Sequence, residues 1–457
     1  MEQELQSSIE SFMKVYGKYG DQYMSDFFID DQWNELPKEW RDYFDSNLEK
    51  ATPISLSLLN PNYDLTDTTL PTGLIQLKQM ITNIMGLFHS CYQYPVKIKP
   101  KDFSKVPRML LTKIKKKKIH ELEHLIALLE NIHEEHSFEE VVDCGAGVGH
   151  LSRLLAYFMA GKDIQTSTIE GNEKFVETSL KLDQKFQKKL DFLNEGCNLP
   201  SRTAAYISND KDFVETQYGP NKLLLGLHTC GDFAPTILRY FKKCPDAKIL
   251  VNLGCCYHKL NGAKDMTHRQ AYENDTGAVS NGFPISSWNQ GPLSYAARES
   301  ACHAQPQLVQ DIMQNDKHLE SFKINLFRAK LEYVIFKVTK SDANRHLGMK
   351  SVKFTKDLVF LDYLKQALTG YPLILSEILG ILKDNNPEFE QLTQINPSDI
   401  PKLYIMYCLR LTIAPIIEIL ILTDRITYLK EAQIQAFICP LFNSLISPRC
   451  NAIIAFK

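Results

Sequence analysis

The chain has 457 residues, of which 44% are hydrophobic and 23% are charged, with 21 glycines and 21 prolines. This composition excludes a mostly disordered or collagen-like chain and is typical of a globular protein with two or three domains. The 52 Lys and Arg residues against 54 Asp and Glu residues give a net charge of −2, so binding to nucleic acid would need a local basic patch.

The amino terminus, the cysteines and the hydropathy predict where the protein works. The opening residues 1–5 lack the basic and apolar regions of a secretory signal, and the 11 cysteines do not form a small disulfide scaffold. The most apolar stretch, 411–422, is too short to span a bilayer and contains Pro415 and Glu418, which predicts a buried helix. We therefore expect a soluble intracellular protein, cytoplasmic or nuclear, with no membrane partner.

The first part of the chain is predicted to be helical. Apolar residues recur at helical spacing in an amino-terminal domain, which we place at 1–109. A charged amphipathic helix follows over 113–136 and begins with the run Lys113-Ile114-Lys115-Lys116-Lys117-Lys118. Such a run is either a solvated helix face or a patch that contacts phosphates or an acidic substrate, and the sequence leaves both interpretations open.

The hydrophobic period then changes to alternating strands and helices. Short apolar strands are predicted over 141–144, 166–169, 203–207, 223–227 and 249–253, with helical segments between them. This alternation is typical of an α/β fold with a parallel sheet and helices on both faces. We place the first part of this core at 110–258.

A long insertion is predicted at 259–402, with an irregular segment at 277–306, a strand at 330–338 and helical residues at 357–384. A long helix over 402–434 and a terminal β-hairpin then complete the core at 403–457. Because the insertion follows a strand's carboxyl end, we expect it to shape the acceptor pocket. The alternative is that the candidate residues pack the insertion's own core; the candidates are Phe283, Pro284, Tyr295, Arg298 and His303.

A glycine loop joins the first strand to the next helix. It has the form G-x-G-x-G after Asp143, and His150 replaces the sixth-position glycine of a dinucleotide fold. This form is typical of S-adenosyl-L-methionine-dependent methyltransferases, and Glu170, 27 residues later, can accept the ribose hydroxyls. A nicotinamide cofactor and a glycine turn without ligand are the alternatives. The predicted cofactor-binding residues are Asp143, Gly145, Ala146, Gly147, Gly149, His150, Glu170, Asn172 and His228.

Two later strands end in histidine and cysteine, at Gly226-Leu227-His228-Thr229-Cys230-Gly231-Asp232 and Asn252-Leu253-Gly254-Cys255-Cys256-Tyr257-His258. Both ends are expected to face the ligand crevice, and His228 is the best candidate general base. His228, His258 and the cysteines could be metal ligands by type, but paired Cys-x-x-Cys spacing is missing and we predict no metal. Small buried cysteines are a further interpretation. The predicted catalytic residues are His228, Cys230, Asp232, Cys255, Cys256 and Tyr257.

These motifs together resemble the methyltransferase-like protein 25 family. The resemblance covers roughly 115–457 and includes the glycine loop, both His/Cys strand ends, Lys117-Lys118-Ile119-His120-Glu121, Gly282-Phe283-Pro284, Leu293-Ser294-Tyr295-Ala296-Ala297-Arg298-Glu299 and Ser447-Pro448-Arg449. It implies a class I methyltransferase, Rossmann-like fold with a seven-stranded sheet and S-adenosyl-L-methionine as cofactor. The His-x-Cys-Gly and Cys-Cys elements also resemble, locally, a transfer-RNA 2′-O-methyltransferase family, where they lie in the catalytic region.

The resemblance does not fix the substrate. Some members of the family carry a name that suggests ribosomal-RNA adenine dimethylation, but the Asn-Pro-Pro-Tyr motif that holds a flipped adenine is absent from this chain. We predict a methyltransferase that modifies RNA, from the local resemblance to transfer-RNA enzymes and the lysine run, and expect no DNA partner. The alternatives are a protein methyltransferase and a non-catalytic scaffold that binds the methyl donor. The sequence leaves the oligomeric state open.

Overall fold

The computed structural model describes residues 1–60, 63, 65, 69–208, 220–262, 282–288, 291–303, 305–315, 318–383 and 391–457. Within these residues the chain divides into two compact units. We call 1–86 with 293–418 the helical unit, and 87–262 with 282–292 and 419–457 the sheet unit, in each case for the described residues only. The predicted four-part division at 109/110, 258/259 and 402/403 stays a prediction.

The sheet unit is built on seven strands in the order β3-β2-β1-β4-β5-β7-β6. The first five run parallel to their neighbours, whereas β7 is antiparallel to both β5 and β6. This arrangement confirms the predicted seven-stranded α/β sheet and the terminal β-hairpin. The strands are β1 (Glu140–Cys144), β2 (Gln165–Glu170), β3 (Ser201–Ala204), β4 (Lys222–Thr229), β5 (Ala247–Gly254), β6 (Gln435–Pro440) and β7 (Asn451–Phe456).

The helices lie in both units, and the long carboxyl-terminal helix α15 contributes residues to each. In chain order they are α1 (Glu2–Gly20), α2 (Lys38–Asp45), α3 (Ala51–Leu59), α4 (Thr72–Tyr92), α5 (Lys116–Glu135), α6 (His150–Met159), α7 (Glu173–Leu193), α8 (Phe233–Lys243), α9 (Tyr295–Ser300), α10 (Gln305–Gln314), α11 (His318–Ser321), α12 (Lys323–Thr339), α13 (Phe360–Ala367), α14 (Pro372–Lys383) and α15 (Asp399–Lys430).

The sheet is buried on both faces, which explains its continuous apolar strands. Every residue of β1 is buried, as expected for a central parallel strand covered by helices. Leu122, Leu125 and Leu129 lie on the buried face of α5 and join the same hydrophobic core as Val141 of β1. The carboxyl ends of β1, β2, β4 and β5 meet at one edge of the sheet, so the loops that follow them are brought together there.

Helix α15 has the length and composition to cross a membrane. In its most apolar window 83% of the residues are buried inside the protein, and a buried core helix passes the same test. The predicted buried helix at 411–422 is therefore confirmed as part of α15.

One predicted element is wrong: residues 330–338 form no strand and lie inside helix α12. The β-branched and aromatic residues of this stretch favour a strand by propensity. Helical spacing nevertheless brings Phe327, Leu331, Val334 and Ile335 onto a common face, and all four are buried in a second hydrophobic cluster. Tertiary packing of that face therefore overrides the local preference.

Other boundaries shift by a few residues. The helix expected at 113–136 begins at Lys116, since Lys113 adopts a left-handed conformation with φ 69°. The helical stretch expected at 357–384 is divided into α13 and α14. Residues 277–281, 289–290 and 304 of the predicted irregular segment at 277–306 lie outside the described residues.

Candidate active site

The glycine loop lies between β1 and α6, and its three glycines have positive φ angles. These are 75° at Gly145, 57° at Gly147 and 73° at Gly149, a region that side chains disfavour. A Cβ atom at Gly145 would lie 2.8 Å from the ring of Phe233, so the backbone must approach that ring closely. A Cβ atom at Gly147 would meet nothing within 4 Å, which leaves open space at the centre of the loop.

Glu170 at the end of β2 contacts this loop directly. Its Oε2 accepts a hydrogen bond of 2.8 Å from the Gly147 N–H, and its Oε1 accepts one of 2.9 Å from the Asn172 N–H. The Asn172 side chain accepts from the Lys174 N–H and so caps α7. The predicted ribose-binding carboxylate therefore lies beside the loop, and Asn172 holds the helix that follows it.

Asp143 lies in β1, two residues before the first glycine. It is 2% exposed, and its Oδ2 is buried without a hydrogen-bond partner. Burial raises the pKa of this carboxyl to about 6; the charge of Glu170 also raises it, while Lys118 and Arg202 lower it. An unpartnered buried carboxylate oxygen is suited to a ligand that brings a positive charge.

These groups fit S-adenosyl-L-methionine. Asp143 would supply the acceptor for the methionyl ammonium, and Glu170 would supply the acceptor for ribose hydroxyls. A Cβ atom at Gly147 would meet nothing within 4 Å, so this part of the loop leaves room for a ligand. Ala146 and His150 are half-buried neighbours in the same loop and helix start. Burial, followed by the charges of Arg153 and Lys118, lowers the pKa of His150, so this ring is neutral near pH 7.

A buried network of charged residues contacts the glycine loop and the start of α6, and it was not predicted. Arg153 of α6 donates to Asp183 Oδ1 of α7 at 2.9 Å and to the Val148 carbonyl at 2.7 Å. Arg202 of β3 donates to both oxygens of Asp183, at 2.8 and 2.9 Å, and to Ser152 Oγ at 2.7 Å. This network joins the elements on either side of the loop.

The carboxyl end of β4, where the acceptor is predicted to bind, contains a histidine–carboxylate pair. His228 in β4 has a positive φ of 60°, and its Nε2 lies 3.0 Å from Oε2 of Glu121 in α5. The other oxygen of Glu121 accepts from Ser447 Oγ at 2.8 Å, and Lys118 Nζ lies 3.6 Å from the carboxylate. Burial opposes ionisation of Glu121, but the hydrogen bonds and charges of His228, Ser447 and Lys118 outweigh it and lower the pKa to about 2.

Neither Glu121 nor Ser447 was predicted as a site residue. Both belong to short motifs that carry the family resemblance, which is the signal that could have identified them. They are 326 positions apart in the chain and meet only in the folded sheet unit. Their shared contact fixes the carboxylate that faces His228.

Two other predicted catalytic residues have structural contacts. Asp232 accepts hydrogen bonds from the Asn261 and Gly262 N–H groups at 2.8 and 2.7 Å, and so fastens the loop after β5 to the loop after β4. Tyr257 is only 1% exposed, and the Arg425 guanidinium lies 5.6 Å from its ring centroid. Catalytic roles for both residues stay predictions.

The three predicted cysteines lie together at the ends of β4 and β5. Cys230 Sγ is 3.0 Å from Cys255 Sγ and 3.3 Å from Cys256 Sγ, and the Sγ atoms of Cys255 and Cys256 are 3.5 Å apart. Hydrogen bonds from the other two thiols lower the pKa of Cys256. Among the described residues, the converging group of metal-ligating side chains contains these three thiols and neither His228 nor His258.

The predicted pocket residues of the insertion fall in different units. Phe283 is buried in the sheet unit, where its N–H donates to Asn261 Oδ1 at 2.9 Å. Tyr295, Arg298 and His303 belong to the helical unit. There His303 lines a cavity of about 190 Å³. Pro284 lies with Phe283 in the sheet unit, so the five candidate residues are divided between the two units.

Comparison with known proteins identifies the domain that carries these motifs. Residues 116–263 match the Methyltransferase domain family, Methyltransf_32. The chain is 29% identical to the human protein named probable methyltransferase-like protein 25 over 287 residues, which are 60% of this chain and 43% of that protein. It is 31% identical to the mouse protein of the same name over 248 residues, 51% of this chain and 37% of that protein. The matches thus span less than half the length of these relatives.

Solved structures give weaker likenesses. The magnesium protoporphyrin IX methyltransferase of Synechocystis PCC 6803, solved with bound SAH, is 16% identical over 46% of this chain and 68% of its own, with a TM-score of 0.21. A S-adenosylmethionine-dependent methyltransferase of Clostridium acetobutylicum is 11% identical over 33% of this chain and 53% of its own, with a TM-score of 0.20. Scores this low add nothing to the assignment.

The sheet order, the glycine loop and the matched domain agree with one another. They confirm a class I methyltransferase domain whose cofactor is S-adenosyl-L-methionine. The sequence relatives extend the agreement beyond the domain to 60% of the chain. The sequence relatives confirm the predicted resemblance to the methyltransferase-like protein 25 family, and residues 116–263 form the matched methyltransferase domain.

Proposed function

We propose that the protein is a S-adenosyl-L-methionine-dependent methyltransferase that modifies RNA. The observation that carries the substrate class is the position of the lysine run. Lys113, Lys115 and Lys116 are exposed at and just before the start of α5. Glu121, which contacts His228, follows within two turns of the same helix. Cationic side chains within two helical turns of Glu121 would bind a phosphate backbone next to His228, on the proposed acceptor side of the site.

The pair formed by Glu121 and His228 supports a proton-accepting role for the histidine. Glu121 is ionised at neutral pH, because its pKa is lowered to about 2, so its oxygens only accept hydrogen bonds. The Nε2 of His228 must then carry the hydrogen, which leaves Nδ1 as the nitrogen that can take up a proton. A ribose hydroxyl or a base amine loses a proton when it is methylated, and in the proposed mechanism His228 receives it.

The bound cofactor supplies an electrophilic methyl group. In the proposed mechanism Asp143 and Glu170 hold the two polar ends of that molecule, and the glycine loop permits close approach. Glu121 orients His228, and the lysines position the acceptor strand. Alignment of donor and acceptor provides much of the rate, so loss of His228 should slow the reaction without abolishing it.

The proposal includes an intracellular location, cytoplasmic or nuclear, where RNA substrates are present. The 11 cysteines are free thiols in the structure, including the exposed Cys230. A reducing compartment preserves such thiols. In that compartment the proposed partner is RNA.

The test is methyl transfer from labelled S-adenosyl-L-methionine into extract of cells that lack this protein. Each reaction is divided and treated with ribonuclease or protease. Label that is lost only to ribonuclease is the expected result. Label that is lost only to protease would overturn the RNA proposal in favour of a protein substrate. Absence of label, together with intact cofactor binding, would indicate a non-catalytic scaffold.

The lysine run is tested in the same assay with matched charge changes. A triple variant Lys113→Gln, Lys115→Gln, Lys116→Gln removes three exposed cations and leaves Lys117 and Lys118, which lie near Glu121, in place. The control variant Lys181→Gln, Lys185→Gln, Lys188→Gln removes the same charge from an exposed face of α7. We expect the first variant alone to raise KM for RNA, by roughly tenfold or more. Equal effects would contradict a specific phosphate patch.

A further inference from the structure

Three thiols meet at the sheet edge, where β4 and β5 end. The two strands are paired, with Thr229 opposite Gly254, so the residues that follow them are neighbours. Cys230 comes from the first strand end, while Cys255 and Cys256 come from the second. Their Sγ atoms form a triangle with sides of 3.0, 3.3 and 3.5 Å.

The backbone around this triangle is tightly fixed. Gly231 has a φ of 54°, and a Cβ atom there would lie 2.4 Å from the Lys259 carbonyl oxygen, so the two turns approach closely. Asp232 holds the β5 loop through the N–H groups of Asn261 and Gly262. Cys256 itself has a positive φ of 23°. The thiols are therefore brought together by the fold rather than by their own flexibility.

We propose that Cys230, Cys255 and Cys256 bind one zinc ion. Zinc binds cysteine sulfur at about 2.3 Å with tetrahedral geometry. The centre of the observed triangle lies about 1.9 Å from each sulfur, so an ion at bonding distance would sit about 1.3 Å above the sulfur plane. Ideal tetrahedral bonds of this length would put the sulfurs about 3.8 Å apart. The thiols therefore have to separate by about 0.3 to 0.8 Å from the observed triangle when they bind the ion, whose fourth position then points away from the sulfur plane.

The chemistry of the three side chains favours zinc over the other occupants. Magnesium and calcium prefer oxygen ligands, whereas thiolates select softer ions such as zinc. A disulfide would use two of the thiols and leave the third within 3.5 Å of the bond, without a role. Cys230 is exposed, so water or an external group can reach the fourth position. The inference rests on the thiols alone and is independent of methyl transfer.

The proposal departs from the prediction of no metal, which was based on cysteine spacing in the sequence. Zinc sites are recognised by short paired spacings such as Cys-x-x-Cys. Here the ligands come from two strands, and Cys230 and Cys255 are 25 positions apart. Only the pairing of β4 with β5 brings them within bonding distance of one ion.

The test uses the full chain, reduced with a phosphine and stripped of metal with a chelator. Zinc affinity and stoichiometry are measured by competition with a chromophoric chelator, and Co²⁺ is used as a spectroscopic probe. We expect one zinc ion per chain and a sulfur-to-cobalt charge-transfer band. Each of Cys230→Ser, Cys255→Ser and Cys256→Ser should weaken zinc binding by about 100-fold or more and reduce the band. The control Cys197→Ser, a half-buried cysteine outside the cluster, should leave both unchanged.

The outcomes that overturn the proposal are direct. Reduced wild-type protein that binds no zinc, or that binds it equally well in all four variants, contradicts the site. Should the serine variants fail to fold, X-ray absorption spectroscopy of the zinc-loaded wild type decides instead. Three sulfur neighbours at about 2.3 Å support the proposal, and two or fewer refute it.

Discussion

His228 and Glu121 are 107 positions apart in the chain, yet the Nε2 of the histidine lies 3.0 Å from a carboxylate oxygen of the glutamate. The carboxylate is 1% exposed and has a second partner in Ser447. Because both oxygens of Glu121 are engaged, the histidine ring is oriented by a group that is itself fixed. The arrangement is that of a base and its orienting carboxylate, a recurrent pairing in enzymes that move protons.

The first prediction concerns catalysis by this pair. Glu121→Gln keeps the size of the side chain and removes its charge, so His228 loses the anionic acceptor that holds a hydrogen on Nε2. We expect kcat to fall by about 10–100-fold with little change in KM for the cofactor. His228→Ala should lower kcat to a similar level, and the double variant should be no slower than either single variant. Additive losses would show that the two residues act separately.

The second prediction concerns stability in acid. The folded-state pKa of Glu121 lies near 2, below the ordinary value of 4.5, so its ionised form stabilises the fold. That contribution is fully present above about pH 4.5 and is lost as the pH falls from 4.5 towards 2. It is worth about 3 kcal/mol.

Chemical denaturation across this pH range measures the effect. Glu121→Gln should flatten the loss of stability between pH 4.5 and 2, because the variant has no carboxylate to protonate at this position. Glu139→Gln changes an exposed glutamate before β1 and should keep the wild-type profile. A wild-type profile in the Glu121 variant would mean that other groups govern acid unfolding.

The third prediction concerns the pH dependence of cofactor binding. Burial raises the pKa of Asp143 to about 6 in the cofactor-free protein, and the proposed ammonium contact needs the ionised form. Affinity should therefore weaken as the pH falls below 6, by about tenfold for each unit. The variant Asp143→Asn should bind at least tenfold more weakly at pH 7.5 and lose this slope.

Isothermal titration with S-adenosylhomocysteine between pH 5 and 8 tests the point. Asp163→Asn is the matched control, since it alters a carboxylate in the turn between α6 and β2, where asparagine tolerates the left-handed backbone. Folding raises the pKa of Asp143 from 3.8 to about 6, whereas it lowers the pKa of Glu121. The two carboxylates therefore change the stability in opposite directions with pH. Without cofactor, stability from Asp143 is present below about pH 3.8 and is lost as the pH rises through 6.

The sequence predicted what local chemistry determines. The glycine spacing after Asp143 predicted a loop that joins a strand to a helix, and the structure has this loop between β1 and α6, with positive φ angles at Gly145, Gly147 and Gly149. What it did not predict depends on contacts between distant segments. The contact of His228 with Glu121 depends on how α5 packs beside β4. The residues of α12 favour a strand by local propensity, and the burial of one helical face makes them a helix instead. A contact between residues 107 positions apart leaves no local pattern in the sequence.

The last prediction concerns the charge network beneath the glycine loop. Asp183 accepts hydrogen bonds from two arginines whose side chains are nearly buried, Arg153 and Arg202. Asp183→Ala would leave both cations without their shared partner, which costs about 3 kcal/mol or more. Thermal unfolding should show a Tm lowered by roughly 5–10 °C.

The same change should also weaken cofactor binding, because Arg153 holds the Val148 carbonyl within the loop. Asp191→Ala removes an exposed carboxylate from the same helix and should alter stability by less than about 0.5 kcal/mol. Calorimetry of both variants, followed by titration with S-adenosylhomocysteine at a temperature where both are folded, separates the two effects. Equal melting temperatures of the Asp183 and Asp191 variants would show that the buried ion pairs of Asp183 do not stabilise the folded protein. Unchanged affinity in a destabilised Asp183 variant would show that the loop keeps its shape without them.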